Sequence, residues 1–240
     1  GGAALVAALH LRFKILDYPP QEPAPVVAPH RTLVVGGEYA AIGDALAQAK
    51  PGDIVEVQAG EYREQVRMRE GVQLRSRAPL AAILRAPAEG KGPAVIAESV
   101  HHGRITGFRI VADEKVPLAT GILLDGADIE VSDCGIEGTA VGIEIRGGHP
   151  VLRANTIQDS TQNAITISGD ATPWISHNAF LRNGRKGRKP AVAATDPARP
   201  TLLGNTFDDT AARAVTLAGG SDAPAVSKFN FFLTGQRVRP

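Results

Sequence analysis

The chain has one cysteine, one methionine and one tryptophan among 240 residues, and only 5% of it is aromatic. A single cysteine, Cys134, excludes an intrachain disulfide and leaves the redox compartment open. Neither charge prevails: 26 basic side chains face 25 acidic ones for a net charge of +1, which gives no global argument for nucleic acid or an anionic membrane. The wholly apolar opening, Gly1 to Leu9, is nine residues long and falls short of the roughly 20 needed to span a bilayer. There is no glycine-rich phosphate loop, no nucleophile elbow, and no histidine or cysteine cluster with metal-ligand spacing, so neither a cofactor nor a metal is expected. His101-His102 alone offers a base or a ligand, without a second cluster beside it.

What the chain does have is bends and a repeat. Twenty-six glycines and 17 prolines accompany 43% hydrophobic residues, and a short phrase returns through the second half. It reads Leu152-Arg-Ala-Asn155-Thr-Ile157, Ile175-Ser-His-Asn178-Ala-Phe180, Leu202-Leu-Gly-Asn205-Thr-Phe207 and Ser227-Lys-Phe-Asn230-Phe-Phe232, with the asparagines 23, 27 and 25 residues apart. In earlier copies Cys134 and Phe108 stand in the asparagine slot. Between the phrases comes a second apolar pulse at Ile122, Ile143, Ile165, Val192 and Val215. Self-similarity at this period signals a solenoid. Alternation in Ile143-Glu144-Ile145 and Ile165-Thr166-Ile167 puts aliphatics on one face of a strand, and one coil cannot bury that face alone. Stacked coils bury it and pair the backbone. The slot residues Cys134, Asn155, Asn178, Asn205 and Asn230 then form a ladder at one bend.

These repeats resemble those of the right-handed parallel β-helix, the pectin lyase-like superfamily, over residues 32 to 232. The entry segment adds to the likeness: Gly52-Asp53-Ile54-Val55 and Gly60-Glu61-Tyr62-Arg63-Glu64 are similar to the opening of these proteins. The expected fold is all-β, a right-handed parallel β-helix solenoid with an N-terminal capping helix. The helix is expected over Tyr39 to Lys50, where Ile42, Ala45, Leu46 and Ala49 give one apolar stripe, after a strand at Thr32 to Val35. Residues 31–240 form a single domain. Residues 1–30 read as a tether or linker: an apolar start, then His10, Arg12 and Lys14, then a proline-rich stretch over 19–29. With Met68 as the one methionine, a processed or longer parent chain is expected. In that case the apolar start is a short tail or the end of a membrane span that begins upstream, and the proline-rich stretch is a stiff spacer.

The superfamily hosts many activities, so function rests on a site. Alternation turns Leu123, Asp125, Glu144, Arg146, Thr166, Ser168, Ala193 and Thr216 outward on the strand series that, by the resemblance, forms the substrate cleft of the polysaccharide enzymes. Asp125, Glu144 and Arg146 are the candidates for any catalytic centre, since a glycosidase needs two carboxylates and a lyase a positioned base. An exposed ion pair is the plainer account. The Gly60-Glu61-Tyr62-Arg63-Glu64 segment is similar to the first signature of pectin methylesterases, but the later motifs of that family are missing, which leaves Tyr62 and Glu64 to fix the first bend.

For binding, Thr166, Trp174 and the run Arg185, Lys186, Arg188 and Lys189 are the candidates: an outward polar residue, an aromatic platform and a loop with four cations in six residues. The loop lacks interleaved aromatics, which weighs against nucleic acid. Three readings follow. The preferred one is a non-catalytic, extracytoplasmic module, a monomer tethered to a membrane protein and binding a polysaccharide or cell-wall glycan. A bacterial receptor-type kinase is one context for such a module. The alternatives are a polysaccharide lyase, hydrolase or epimerase, and a structural spacer.

Overall fold

The computed structural model describes residues 31–87, 92–113, 116–184, 186–208, 213–217, 228–233 and 237–239. The expected tether over residues 1–30 lies outside them. The chain winds through three eight-stranded parallel sheets, one strand of each per coil. The first sheet runs from Thr32–Val35 to Thr201–Leu203, the second from Gly60–Arg63 to Phe231–Phe232, and the third from Val66–Arg67 to Arg237–Arg239.

Register stacks like on like. In the first sheet Leu33, Val55, Leu74, Ile105, Val131 and Leu152 pair in one inward column, each buried. In the second, Ile136, Ile157, Phe180, Phe207 and Phe232 follow one another, and the last three rings stack with centroids 4.8 and 5.0 Å apart, which is the inter-strand spacing. Aliphatic columns suit a parallel β interior because β-branched side chains pack in line on successive pleats.

The asparagine ladder forms as the sequence spells it. Asn178 Oδ1 accepts from the Asn155 N–H at 2.9 Å and from Asn155 Nδ2 at 3.0 Å, and Asn205 Oδ1 does the same for Asn178, at 3.0 Å each. Asn230 closes the series on Asn205 at 2.9 Å. Each spare amide hydrogen meets a carbonyl of the coil before, as Asn178 Nδ2 does with Leu152 O at 3.0 Å. Cys134, buried in the slot, carries no amide, yet its N–H donates to Asn155 Oδ1 at 3.0 Å. Burial pushes its thiol up to about 12, far from thiolate chemistry.

The residue before each slot but the last sits in the left-handed region: Gly107, Asp133, Ala154, His177 and Gly204. A second, shorter ladder at the next bend was not legible in the sequence. It consists of Thr139, Ser160 and Asn183, preceded by Gly138, Asp159 and Arg182 in the same left-handed conformation. Asn183 Oδ1 accepts from the Ser160 N–H at 3.1 Å, and the Thr139 and Ser160 hydroxyls lie 3.4 Å apart.

The capping helix spans Ile42–Gln48, shorter than the Tyr39 to Lys50 expected, and buries Ile42, Ala45 and Leu46 against the first coil. It starts at Ile42 because its cap residue, Ala41, offers no side-chain acceptor, and Glu64 supplies one from the next coil. Tyr62 packs against the core and its hydroxyl donates to Gln58 O at 3.1 Å, so Tyr62 does hold the first bend while Glu64 serves the helix. Asp53, fully buried, accepts from the Lys50 N–H and from Arg31 Nε at 2.8 Å each.

Candidate functional site

The third sheet carries the candidate catalytic residues on its outer side. Its strands include Val95–Glu98, Thr120–Asp125, Val141–Arg146, Ile165–Ser168 and Val192–Ala194. Register lines up two outward columns. One is Ile96, Leu123, Glu144, Thr166 and Ala193; the other is Glu98, Asp125, Arg146 and Ser168. Leu123, though outward in register, is only 7% exposed, and Ile96 is 6% exposed. Both stand apart from the inner core cluster, so the face has a small apolar floor of its own.

Glu144 and Arg146 form the ion pair that the sequence allowed. Arg146 Nε and Nη2 both donate to Glu144 Oε1, at 2.8 and 2.6 Å, while Glu144 Oε2 accepts from the Thr120 hydroxyl at 3.3 Å. Both carboxylate oxygens are therefore engaged, and Glu144 serves to hold the half-exposed Arg146 guanidinium on the face. Asp125 is the register partner of Arg146 on the neighbouring coil and has no ion-pair partner among the described residues. Its Cα lies one strand and two residues from that of Glu144, about 8 Å by strand geometry. Glu98 pairs with Arg67 at 3.3 Å.

The cation-rich loop enters the same sheet at its edge, between Ala179–Leu181 of the second sheet and Val192–Ala194 of the third. Its backbone is fastened by Lys186 N–H to Thr161 O at 2.8 Å and Lys189 N–H to Gly184 O at 3.1 Å. Lys186, Arg188 and Lys189 point into solvent, whereas Arg185 lies outside the described residues. Trp174 does not join Thr166: it sits outward on the first sheet, in register with Val151 and Thr201, on a different face of the solenoid.

The histidines show an arrangement that sequence reasoning missed. His101 begins the strand His101–Thr106. Its Nδ1 lies 2.7 Å from Asp128 Oδ2, and His149 Nδ1 lies 3.2 Å from Asp128 Oδ1, which also accepts from the His149 N–H at 2.7 Å. One carboxylate thus joins the two imidazoles across three coils, at the corner just past Asp125 and Arg146. Burial pushes the Asp128 carboxyl up, but the hydrogen bonds from His149 and His101 outweigh it and hold the group below the usual carboxylate range. Only the coil register brings these residues together, and no local motif announces it. No group of three or more His, Cys, Asp or Glu among the described residues is arranged to hold a metal ion.

The outer side of the first sheet is also laced with ion pairs. Glu130 accepts from Arg104 at 2.9 Å and Arg153 at 2.8 Å, and Glu56 pairs with Arg75 at 2.7 Å.

Comparison with known proteins follows the same lines. No curated protein matches the chain in sequence. Among solved structures, pectin methylesterase from carrot superposes with a TM-score of 0.60 at 14% identity, covering 87% of this chain and 78% of its own. A pectin methylesterase variant in complex with a hexasaccharide gives 0.56 at 13%, covering 80% and 70%. The catalytic domain of an α-1,3-glucanase in complex with tetrasaccharides gives 0.58 at 14%, covering 79% of this chain and 42% of that one. At these identities the likeness is one of fold. The family model described as "Right handed beta helix region" matches residues 119–231, the coils that carry the asparagine ladder. The coils before it continue the same three sheets in unbroken order, and the described residues fold as a parallel β-helix.

Proposed function

We propose that this chain is an extracytoplasmic recognition module that lays an extended, acidic polysaccharide along the outer face of its third sheet without cleaving it. The observation that carries this reading is the Glu144–Arg146 pair. With one Glu144 oxygen holding Arg146 and the other bonded to Thr120, neither is free to move the proton that an acid or base carboxyl must transfer. What remains on the face is a fixed guanidinium, a small-residue track through Thr166, Ser168 and Ala193, and exposed Lys186, Arg188 and Lys189 at the edge. Guanidinium recognises carboxylate with directed hydrogen bonds, and the lysines add screened attraction. The fold is shared with proteins solved in complex with a hexasaccharide and with tetrasaccharides, which supports an oligosaccharide as the class of ligand. A membrane tether through residues 1–30 fits such a module.

One observation favours a second reading. Asp125 has no ion-pair partner among the described residues and stands beside Glu144, so a polysaccharide hydrolase or lyase would rely on Asp125 first.

Native gel electrophoresis through single polysaccharides tests both. Retardation by an acidic polymer but not a neutral one, lost in Arg146→Ala and weakened by salt and by the Lys186→Ala/Lys189→Ala double variant, is the result expected of a binding module. A cleared zone after polysaccharide staining, abolished in Asp125→Asn, would replace it with the enzyme. No retardation by any polymer would remove both.

A further inference from the structure

The ion pairs on the outer side of the first sheet are layered. Glu130 holds two arginines, Arg104 from the coil before at 2.9 Å and Arg153 from the coil after at 2.8 Å. Glu56 likewise holds Arg75 at 2.7 Å and Arg77 at 3.7 Å, both from the next coil. In both trios the carboxylate lies low: Glu56 and Glu130 are 16% and 17% exposed, against 45% to 63% for the four arginines. Pairs on the other sheets are level. Arg67 and Glu98 on the third are 62% and 58% exposed, and Arg63 and Glu61 on the second are 44% and 41%.

What approaches the first sheet therefore meets guanidinium groups over carboxylates that are already committed. Four arginines against two glutamates leave an excess of two positive charges. The strip follows the solenoid axis. Arg75 and Arg153 stand in one register column with Thr106 and Ser132 between them, three inter-strand steps or about 14 Å apart. Arg104 stands in the neighbouring column, which reaches Trp174 one coil beyond Arg153. A guanidinium carries five N–H donors. Among the described residues that of Arg104 donates through Nη2 alone, to Glu130, which leaves Nε and Nη1 to a ligand.

We propose that this strip is a binding site for a linear polysaccharide bearing carboxylates, laid along the axis from Arg75 to Trp174. The polymer's carboxylates are held as the face holds its own, by directed guanidinium hydrogen bonds. Nucleic acid fits less well, since it draws its affinity from many neutralised phosphates and stacks its bases on successive aromatics. Here the charge excess is small and the strip meets one indole. The first sheet is a different side of the solenoid from that of Arg146, so the inference goes beyond binding at the third sheet and does not depend on it.

Titration of the purified chain with oligomers of galacturonic acid tests it, followed through the emission of Trp174, the one tryptophan of the chain. A saturable change is expected with these oligomers and none with neutral glucose oligomers. Arg104→Gln, which leaves Glu130 its bond to Arg153, should weaken binding by about tenfold or more. Arg77→Gln, at the most exposed of the four arginines, should weaken it by a smaller factor, and thermal transitions verify that both variants are folded. Arg63→Gln, which removes a cation from the second sheet, should leave binding unchanged. An emission that the acidic oligomers do not move overturns the proposal, and retardation in acidic gels without that change assigns the polymer to the third sheet alone. Binding that Arg104→Gln and Arg77→Gln both leave intact, or that Arg63→Gln weakens equally, also overturns it. Tighter binding of a single-stranded oligonucleotide through the same arginines would put nucleic acid in the polysaccharide's place.

Discussion

Glu64 closes the amino end of the capping helix from 22 residues away, its Oε1 accepting from the Ile42 N–H at 2.8 Å while its Oε2 accepts from Gly43 at 2.8 Å. Helices ordinarily cap themselves with the residue just before the first turn. Here Ala41 cannot, and the next coil does it instead, which couples the helix to the solenoid it covers.

Removing that carboxylate should therefore cost more than a local cap. Glu64→Ala removes the partner of two helix donors, of which the Ile42 N–H is part-buried, and is expected to lower stability by about 1–2 kcal/mol. Urea denaturation of the variant beside wild type checks this, and an unchanged midpoint would count against the coupling.

Asn178 stands in the middle of the ladder, with its oxygen serving Asn155 and its amide serving Asn205 and Leu152. Asn178→Ala strands several buried donors and acceptors at once, at about 1–3 kcal/mol for each unsatisfied group. A loss of about 3 kcal/mol or more is expected by chemical denaturation. Asn230→Ala, at the end of the ladder, should cost less.

Gly142 is a glycine for want of space rather than for its dihedral angles. A Cβ there would lie 2.5 Å from Ala164 O and 2.5 Å from Ile157 Cγ2, one of them backbone of the next coil. Gly142→Ala should destabilise by about 3 kcal/mol or fail to fold, beyond ordinary overpacking because a carbonyl cannot rotate away. Soluble yield and the thermal midpoint report the outcome.

Acid should weaken the chain through Glu130. Burial pushes its carboxyl up, but the hydrogen bond from Arg153 and the charges of Arg104 and Arg153 outweigh it and hold the group below the ordinary glutamate value of 4.5. A carboxyl depressed in the folded state contributes its stability in full above the unfolded value, and loses it as the pH falls through the folded one. Wild type should thus lose thermal stability below about pH 4.5 more steeply than Glu130→Gln, whose side chain does not titrate. Parallel curves for the two proteins would refute this role.

The parts of this molecule that the sequence spells are those where one residue type repeats in one place. The asparagines at 155, 178, 205 and 230 do so, and the ladder and coil order follow from them. Thr139, Ser160 and Asn183 fill a second slot with three different polar groups, so the same device left no pattern to see. The outward placement of Glu144 and Arg146 came from alternation alone, because both lie on one strand. The grouping of His101, Asp128 and His149, and the separation of Trp174 from Thr166, depend on where corners fall between coils of unequal length. Period-two alternation says nothing of that.

The ladder has one more property. Asn155, Asn178 and Asn205 address their two neighbours in the same way, the oxygen accepting from the coil before and the nitrogen reaching the acceptor of the coil after. Excising one whole turn, from Asn155 to just before Asn178, would bring chemically identical partners face to face, with Cys134 N–H meeting the oxygen of Asn178 as it now meets that of Asn155. The length of this molecule is therefore an adjustable quantity, one that can change in steps of a full turn while the outline of each remaining turn, and the rows of side chains it displays, stay as they are.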